Sequence, residues 1–406
     1  MKINIALIGA AGFHCSAQAW ESKTFIISLH KIDQIIEEKT WSPPTEEDEE
    51  AYLDKHLLAY YCLWWNVFSK KASDQLSPHC FYNYYIELTE KNSLGYSPLY
   101  KQSAEELEAT KKYLMENLGK GFIVPSGAPF ASPILFVCKA NGGLRLCVDY
   151  QKLNAISKKN CYPLPLIDET LERLSWARIF TKLDIQQAFH KIQMDPESED
   201  LTTFWTCYGA YKYWVMPFGL TNRPATFQRY VNNLFLDYLD QFMTIFIDDI
   251  LVYSQNELEH QKHVIRVLNQ LQEAGLQADI RKCKFHITQI KYLGFIVSTN
   301  EIEVDSEKVA VIQNWESLTT VKGVQSFLGF CNFYWWFIKN YSHIARPLFN
   351  LTRKDMPFNF NCQYLQAFKL LKKQLISVLI LIYYNLYQPI KLETNASDRV
   401  VAEVLS

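Results

Sequence analysis

The sequence predicts an α+β fold, and three local patterns carry that prediction. First, an apolar β-rich run with Phe242, Ile245, Phe246 and Ile247 meets Asp248 and Asp249, and Ile250, Leu251, Val252 and Tyr253 follow at once. This is the pattern of a hairpin with two carboxylates at its tip. Second, residues 179–184, IFTKLD, make another strand candidate that ends on a carboxylate, Asp184, before the polar Gln186 and Gln187. Third, Val324, Phe327, Leu328 and Cys331 recur at the i, i+3, i+4, i+7 spacing of one buried helix face, with Thr319 or Thr320 as its cap.

Taken in chain order, residues 1–41 read as a small strand-rich segment. Residues 42–50, SPPTEEDEE, read as an acidic, proline-marked linker. A helix is expected over 103–118, with Leu107, Leu114 and Leu118 among its apolar residues, and ASPILFV (131–137) as a strand after it. After Ser298 the pattern turns helical. The aromatic run Phe333, Tyr334, Trp335, Trp336, Phe337 reads as a packed helix with some exposed rings in preference to a base-stacking platform.

The composition, 49% hydrophobic and 15% aromatic over 406 residues, suits two to four lobes with their own cores. Ten cysteines form no regular framework and read as reduced thiols. His260, His263, Cys283 and His286 superficially suggest zinc, but HQKH sits on a helical pattern, which favours a structural role. The most apolar stretch, 375–384, is about half of the ~20 residues a membrane-spanning helix needs. The start, MKINIALIGAAGF followed by SAQA, imitates a signal peptide, and Gly9 to Gly12 lack a full nucleotide-binding glycine fingerprint. The expected compartment is intracellular, cytoplasm or nucleus, without secretion.

Carboxylates placed as Asp184, Asp248 and Asp249 are suit a pair of divalent ions. Two ions about 3.5–4 Å apart activate a hydroxyl and neutralise a triphosphate when carboxylates bridge them, and hard oxygen ligands suit magnesium. An Asp-Asp turn by itself is commonplace in hairpins, so the flanking sequence decides. Seven blocks stand in one order: LRLCVDYQKLN (144–154), YPLPLIDETLERLSWARIFTKLDIQQAFHKI (162–192), YWVMPFGLTNRPATFQ (213–228), FIDDILVYS (246–254), KCKFH (282–286), YLGFIVS (292–298) and VQSFLGFCNFYWWFIKNYSHIARPL (324–348). Together they resemble the reverse transcriptase of gypsy-type LTR retrotransposons over nearly the whole chain.

The resemblance implies a right-hand polymerase. Residues 1–50 would be a leader remnant and linker after the protease region, and 51–300 the fingers and palm. Thumb or connection helices would occupy 301–370, and 371–406 a truncated ribonuclease H-like segment. It implies RNA-directed DNA synthesis with a primed RNA or DNA template, deoxynucleoside triphosphates and two Mg2+ ions, Mn2+ being an alternative. A second copy or partner domains from a full-length element are further implied partners, and no membrane. Asp184, Asp248 and Asp249 would be the metal ligands, and Arg145 the grip on the triphosphate, a role suited to a planar permanent cation. Phe189 would be the ring that blocks a ribose 2′-hydroxyl, Gln228 a polar neighbour of nucleotide and template, and Lys282 a general acid for pyrophosphate. Gly294 would lie in the turn that grips the primer end.

The sequence also departs from the family pattern. Cys80, Gln151, Trp205, Cys207, Trp335 and Trp336 stand where arginine is usual, Asn83 and Asn395 replace aspartate, Tyr84 replaces histidine, and Cys138 stands where relatives carry lysines. The arginine, aspartate and histidine replacements each need a single C-to-T or G-to-A transition, as in a genomic repeat damaged by cytosine deamination. Codons more than one transition away would refute that origin. Restoring six arginines and two aspartates would carry the net charge from −2 to about +2, toward the balance that phosphate binding rewards. Asn395 in place of a metal-binding aspartate predicts no ribonuclease H activity. Arg223, where relatives have a small residue, would obstruct the nucleotide pocket. Three outcomes compete on this basis: a working polymerase, a folded nucleic-acid-binding relic, and a poorly folding fossil.

Overall fold

A computed structural model of the chain describes residues 52–377, apart from positions 54, 90–93, 96, 139–142, 300, 317 and 355, together with the backbone of three short strands, Ile380–Ile382, Leu392–Ala396 and Val401–Leu405. The expected leader and linker over 1–50 lie outside the described residues. From Leu57 onward the chain forms one unit.

Five strands make the first sheet, in the spatial order Ile123–Pro125, Gly209–Tyr213, Phe204–Thr206, Ser132–Cys138 and Leu144–Val148. All neighbours are antiparallel except Ser132–Cys138 beside Phe204–Thr206. The strand expected at ASPILFV is therefore an interior strand, and its partner Leu144–Val148, at the sheet edge, sets Arg145 opposite Val137. The helix Ala104–Gly119 lies on this sheet, within a residue of the expected span. It starts where it does because Ser103 and Glu106 cap each other: Glu106 N donates to Ser103 Oγ at 3.2 Å, and Ser103 N donates to Glu106 Oε2 at 2.7 Å.

The second sheet is wholly antiparallel, in the order Met243–Phe246, Asp249–Ser254, Ile179–Asp184 and Lys284–Ile287. Its strand from Asp249 is buried on both faces from Ile250 to Ser254, as expected for a continuous apolar run with helices behind it. The helices Glu257–Glu273 and Arg223–Leu234 pack there, the first burying Val264, Val267, Leu268 and Leu271. A third sheet of Gln289–Tyr292, Phe295–Ser298, Glu301–Val304 and Ile380–Ile382 follows, then four helices, Ser306–Gln313, Val321–Phe333, Tyr341–Leu351 and Cys362–Ser377.

The helix Val321–Phe333 buries Val324, Phe327, Leu328 and Cys331, and Thr320 Oγ1 accepts from Gly323 N at 3.0 Å. The periodicity and cap are as the sequence predicts. One apolar cluster then joins these helices to the sheets, with Phe327, Phe368, Leu348 and Leu371 against Tyr253, Tyr292 and Phe295. Each such side chain contributes about 1.5–3 kcal/mol of transfer free energy on burial. In the aromatic run, Tyr334 and Phe337 are buried, while Trp335 and Trp336 are 49% and 38% exposed. Of the three tryptophans at arginine positions, Trp335 and Trp336 therefore sit at the surface, while Trp205 is half-buried in the strand Phe204–Thr206.

Candidate active site

The tip of the second sheet brings the three aspartates together. Phe246 pairs with Asp249, so the connection is a two-residue turn, Ile247–Asp248. Asp249 is already the first residue of the outgoing strand and Asp248 lies in the turn itself. Asp249 is in turn the cross-strand partner of Asp184, and Ile185 N donates to Asp248 O at 3.0 Å. Strand register thus pairs Asp184 with Asp249, and the turn sets Asp248 beside them on the same edge.

Ile247 adopts φ +58°, a left-handed conformation that costs a β-branched residue about 1–3 kcal/mol. Gln228, fully buried on the helix Arg223–Leu234, holds it there. Its Oε1 accepts from Ile247 N at 2.7 Å, while its Nε2 donates to Ile245 O at 3.1 Å and to Asn232 Oδ1 at 2.8 Å. Sequence reasoning assigns Gln228 to the nucleotide and template; its contacts in the fold are to the hairpin that carries Asp248.

Two lysines neutralise this carboxylate edge. Lys282 Nζ lies 2.9 Å from Asp184 Oδ1, and Lys182 Nζ lies 2.8 Å from Asp249 Oδ1. Lys182 was missed in the sequence, although strand alternation puts it on the same face as Asp184. Burial pushes Asp184 and Asp248 above the usual carboxylate range, with Asp249 adding to both and Lys282 acting against the shift. Burial pulls Lys282 down, but its hydrogen bond and charge contact with Asp184 outweigh this, so it is held protonated. Among the described residues no three His, Cys, Asp or Glu side chains are gathered closely enough to ligate one ion; Asp184 and Asp249 are each paired with a lysine.

A second group of side chains lies beside this edge. Phe189, 7% exposed, packs against Phe218 and Phe227 with ring centroids 5.9 and 5.3 Å away. Phe218 is placed by a turn that requires glycine: Gly219 has φ +97°, and a Cβ there would meet Val148 O at 3.3 Å. Asn154 holds the same turn, its Nδ2 donating to Gly219 O at 2.7 Å and its Oδ1 accepting from Thr221 N at 2.9 Å. Arg145 is exposed, with Cζ 5.9 Å from the Phe218 ring. Arg223 lies closer still, 4.2 Å from Phe218 and 3.8 Å from Phe189.

Gly294 is on the third sheet. Leu293 and Gly294 form the two-residue turn between Tyr292 and Phe295, both at positive φ, as a type I′ hairpin demands. Tyr334 Oη donates to Gly294 O at 3.3 Å, and a Cβ on Gly294 would meet that oxygen at 3.1 Å. Beside it opens a cleft of about 490 Å³ that includes Leu166, Phe246, Phe295, Phe333, Trp335 and Trp336 among its lining. Two cations of this region are engaged within the fold: Lys282 pairs with Asp184, and Lys291 with Asp305 and Glu307 at 2.7 and 2.9 Å.

The histidines that suggested zinc are engaged with hydroxyls. His260 Nε2 is 2.7 Å from Thr181 Oγ1 and its Nδ1 is 3.0 Å from Ser254 Oγ, which also meets His263 Nδ1 at 2.8 Å. His286 Nε2 is 2.6 Å from Tyr61 Oη. Burial pushes His260 down to about 3, so its ring is neutral in the fold.

Residues 137–297, which contain all eight of the site residues anticipated from sequence, match the family model described as reverse transcriptase (RNA-dependent DNA polymerase). The chain is 35% identical over 321 residues to the Transposon Tf2-3 and Tf2-7 polyproteins of Schizosaccharomyces pombe, an alignment covering 79% of this chain and 24% of each relative. It therefore spans about a quarter of the length of the curated relatives it matches. Among solved structures it is similar to a foamy viral protease-reverse transcriptase in complex with RNA/DNA hybrid, with TM-score 0.68 and 20% identity over 95% of this chain and 51% of that one. The same viral protein in complex with dsDNA gives TM-score 0.71 and 20% identity, over 95% of this chain and 79% of that one. By its family match, its relatives and its fold, the chain belongs to the reverse transcriptases, of the kind that LTR retrotransposons encode.

Proposed function

We propose that this chain carries out RNA-directed DNA synthesis, joining deoxynucleoside triphosphates to a primer 3′-hydroxyl by two-metal nucleotidyl transfer. The observation that supports this best is the convergence of Asp184, Asp248 and Asp249 on one hairpin edge by strand register and turn. Their all-oxygen donor set fits magnesium, with manganese as the alternative. Two such ions, held by the three aspartates once Lys282 and Lys182 give way, would polarise the primer hydroxyl and neutralise the triphosphate.

The protein's own groups supply the rest. The exposed guanidinium of Arg145 can reach a triphosphate and bind it through paired N–H donors. Lys282, kept protonated beside Asp184, would give a proton to departing pyrophosphate. The Phe189 ring, packed against Phe218 and Phe227, would be the group that excludes a 2′-hydroxyl. Gln228 acts as a positioning residue for Asp248, and the bare backbone at Gly294 allows a primer end to approach.

On this reading the first two sheets correspond to fingers and palm within 51–300, and the helices within 301–370 to thumb or connection, with 371–406 opening a ribonuclease H-like segment. Partners are primed RNA or DNA templates and deoxynucleoside triphosphates, since the similar foamy viral proteins hold an RNA/DNA hybrid and dsDNA. No described helix is long and apolar enough to cross a membrane; the proposed site of action is intracellular, cytoplasm or nucleus. The test is primer extension on a primed RNA template in magnesium at low salt, beside Asp248→Asn. Extension that the substitution abolishes is expected; equal extension by the variant refutes the assignment.

A further inference from the structure

Arg223 is the first residue of the helix Arg223–Leu234, and its guanidinium sits in the corner between two rings set edge to face, 3.8 Å from the centroid of Phe189 and 4.2 Å from that of Phe218. Both distances are well inside cation–π range. With Phe218 and Phe227 already packed against Phe189, the guanidinium covers ring surface that a nucleotide sugar would need.

We propose that Arg223 is a specificity-determining residue of the nucleotide pocket, a displaceable plug on Phe189 that penalises nucleotides carrying a full sugar ring and spares those whose sugar is reduced or absent. The inference rests on the polymerase reading, which makes Phe189 the wall of the sugar site. Its reversibility follows from the same geometry. Arg223 Nη1 is buried with no hydrogen-bond partner, and an unsatisfied charged donor weakens the plugged state. Asp248 attracts the guanidinium while Arg145 repels it, so it is held close to the site without being locked. A nucleotide that enters exchanges its own contacts for the two cation–ring contacts; an acyclic analogue with the same base and triphosphate does not have to.

The experiment measures dissociation constants of dATP and of an acyclic adenine triphosphate analogue from the protein bound to primer–template. Calcium replaces magnesium to prevent turnover, and extension in magnesium runs in parallel. Arg223→Ala is expected to bind dATP about tenfold more tightly, equivalent to ~1.4 kcal/mol and within the reach of a half-buried cation–π pair. Its affinity for the acyclic analogue should change by less than about threefold. Arg223→Lys, which keeps the charge and loses the planar stack, should fall between the two, and guards against a folding defect in the alanine variant. Equal dATP affinity in all three proteins, or equal gains for both ligands, overturns the plug and leaves the polymerase reading standing. The expected binding pattern without any extension overturns the polymerase reading alone, and no nucleotide binding by any of the proteins overturns both.

Discussion

Replacing Gln228 by methionine keeps the side chain's length and removes its polar atoms, which tests whether the residue serves the hairpin or the nucleotide. Three hydrogen bonds disappear, to Ile247 N, Ile245 O and Asn232 Oδ1. Each contributes about 0.5–1.5 kcal/mol net, and the half-buried Ile247 N–H left without a partner costs about 1–3 kcal/mol more. These terms overlap, because the lost bond and the orphaned donor describe one contact, so the expected destabilisation is about 2–4 kcal/mol. A second effect follows from the left-handed Ile247. Freed from Gln228, the turn relaxes and carries Asp248 with it, and a displacement of ~1 Å in a reacting group lowers rate by about 100-fold. Urea unfolding reads the first quantity and single-turnover extension the second. A hairpin clamp lowers stability and the rate constant together while KM for the nucleotide stays near its original value. A nucleotide contact raises KM and leaves stability alone. If Gln228→Met unfolds within about 0.5 kcal/mol of the parent and only its KM rises, the reasoning is wrong.

Three further outcomes are expected. Asp248→Asn removes one of two half-buried carboxylates whose charged forms the fold disfavours, so without divalent ions the inactive variant should be more stable by about 0.5–2 kcal/mol; a lower melting temperature refutes this. His260 is neutral in the fold and titrates near 6.5 when unfolded, so below that pH the unfolded chain binds a proton that the fold refuses until about 3. Stability should therefore fall by about 1.4 kcal/mol per pH unit across this window from His260 alone, and His260→Gln should flatten the slope between pH 6 and 4, as acid-dependent urea melts would show. Because Trp335 and Trp336 are half-exposed, changing both to arginine should leave the fold intact. It should also steepen the salt dependence of primer–template binding by about 1–2 in log–log slope; parallel lines for parent and variant would place both residues off the nucleic-acid path.

What the sequence made legible was whatever a local period encodes. The strand Ile179–Asp184, the apolar runs around Asp248 and Asp249, the capped helix from Ala104 and the buried face of Val321–Phe333 all declare themselves within a dozen residues. Gln228 and Ile247 do not. Nothing near Ile247 signals a positive φ, and a β-branched residue is among the least suited to it; the conformation exists because a glutamine from another helix reaches across the fold. Lys182 lies between these cases, since alternation puts it on the face of Asp184 but only sheet pairing brings it to Asp249.

These long-range contacts have a common sense once the site is considered without ligands. Lys282 and Lys182 sit against Asp184 and Asp249, supplying positive charge where the proposed metal ions would supply it. Arg223 fills ring surface where the proposed sugar would pack. In each place the fold supplies an internal cation to groups that would otherwise face repulsion or an empty wall, and each is attached by contacts weak enough to exchange. Both ion pairs keep a solvent-accessible member, which limits what they contribute, and the arginine–ring contact is offset by its own unsatisfied donor. Substrate and ions then need not open a rigid site; they substitute for side chains already there. The two lysine pairs make this measurable. Lys182→Met should raise the affinity of magnesium for the aspartates by removing its internal competitor, while lowering the stability of the ion-free protein. A variant that binds magnesium more weakly than the parent would show instead that Lys182 orients Asp249 for the metal.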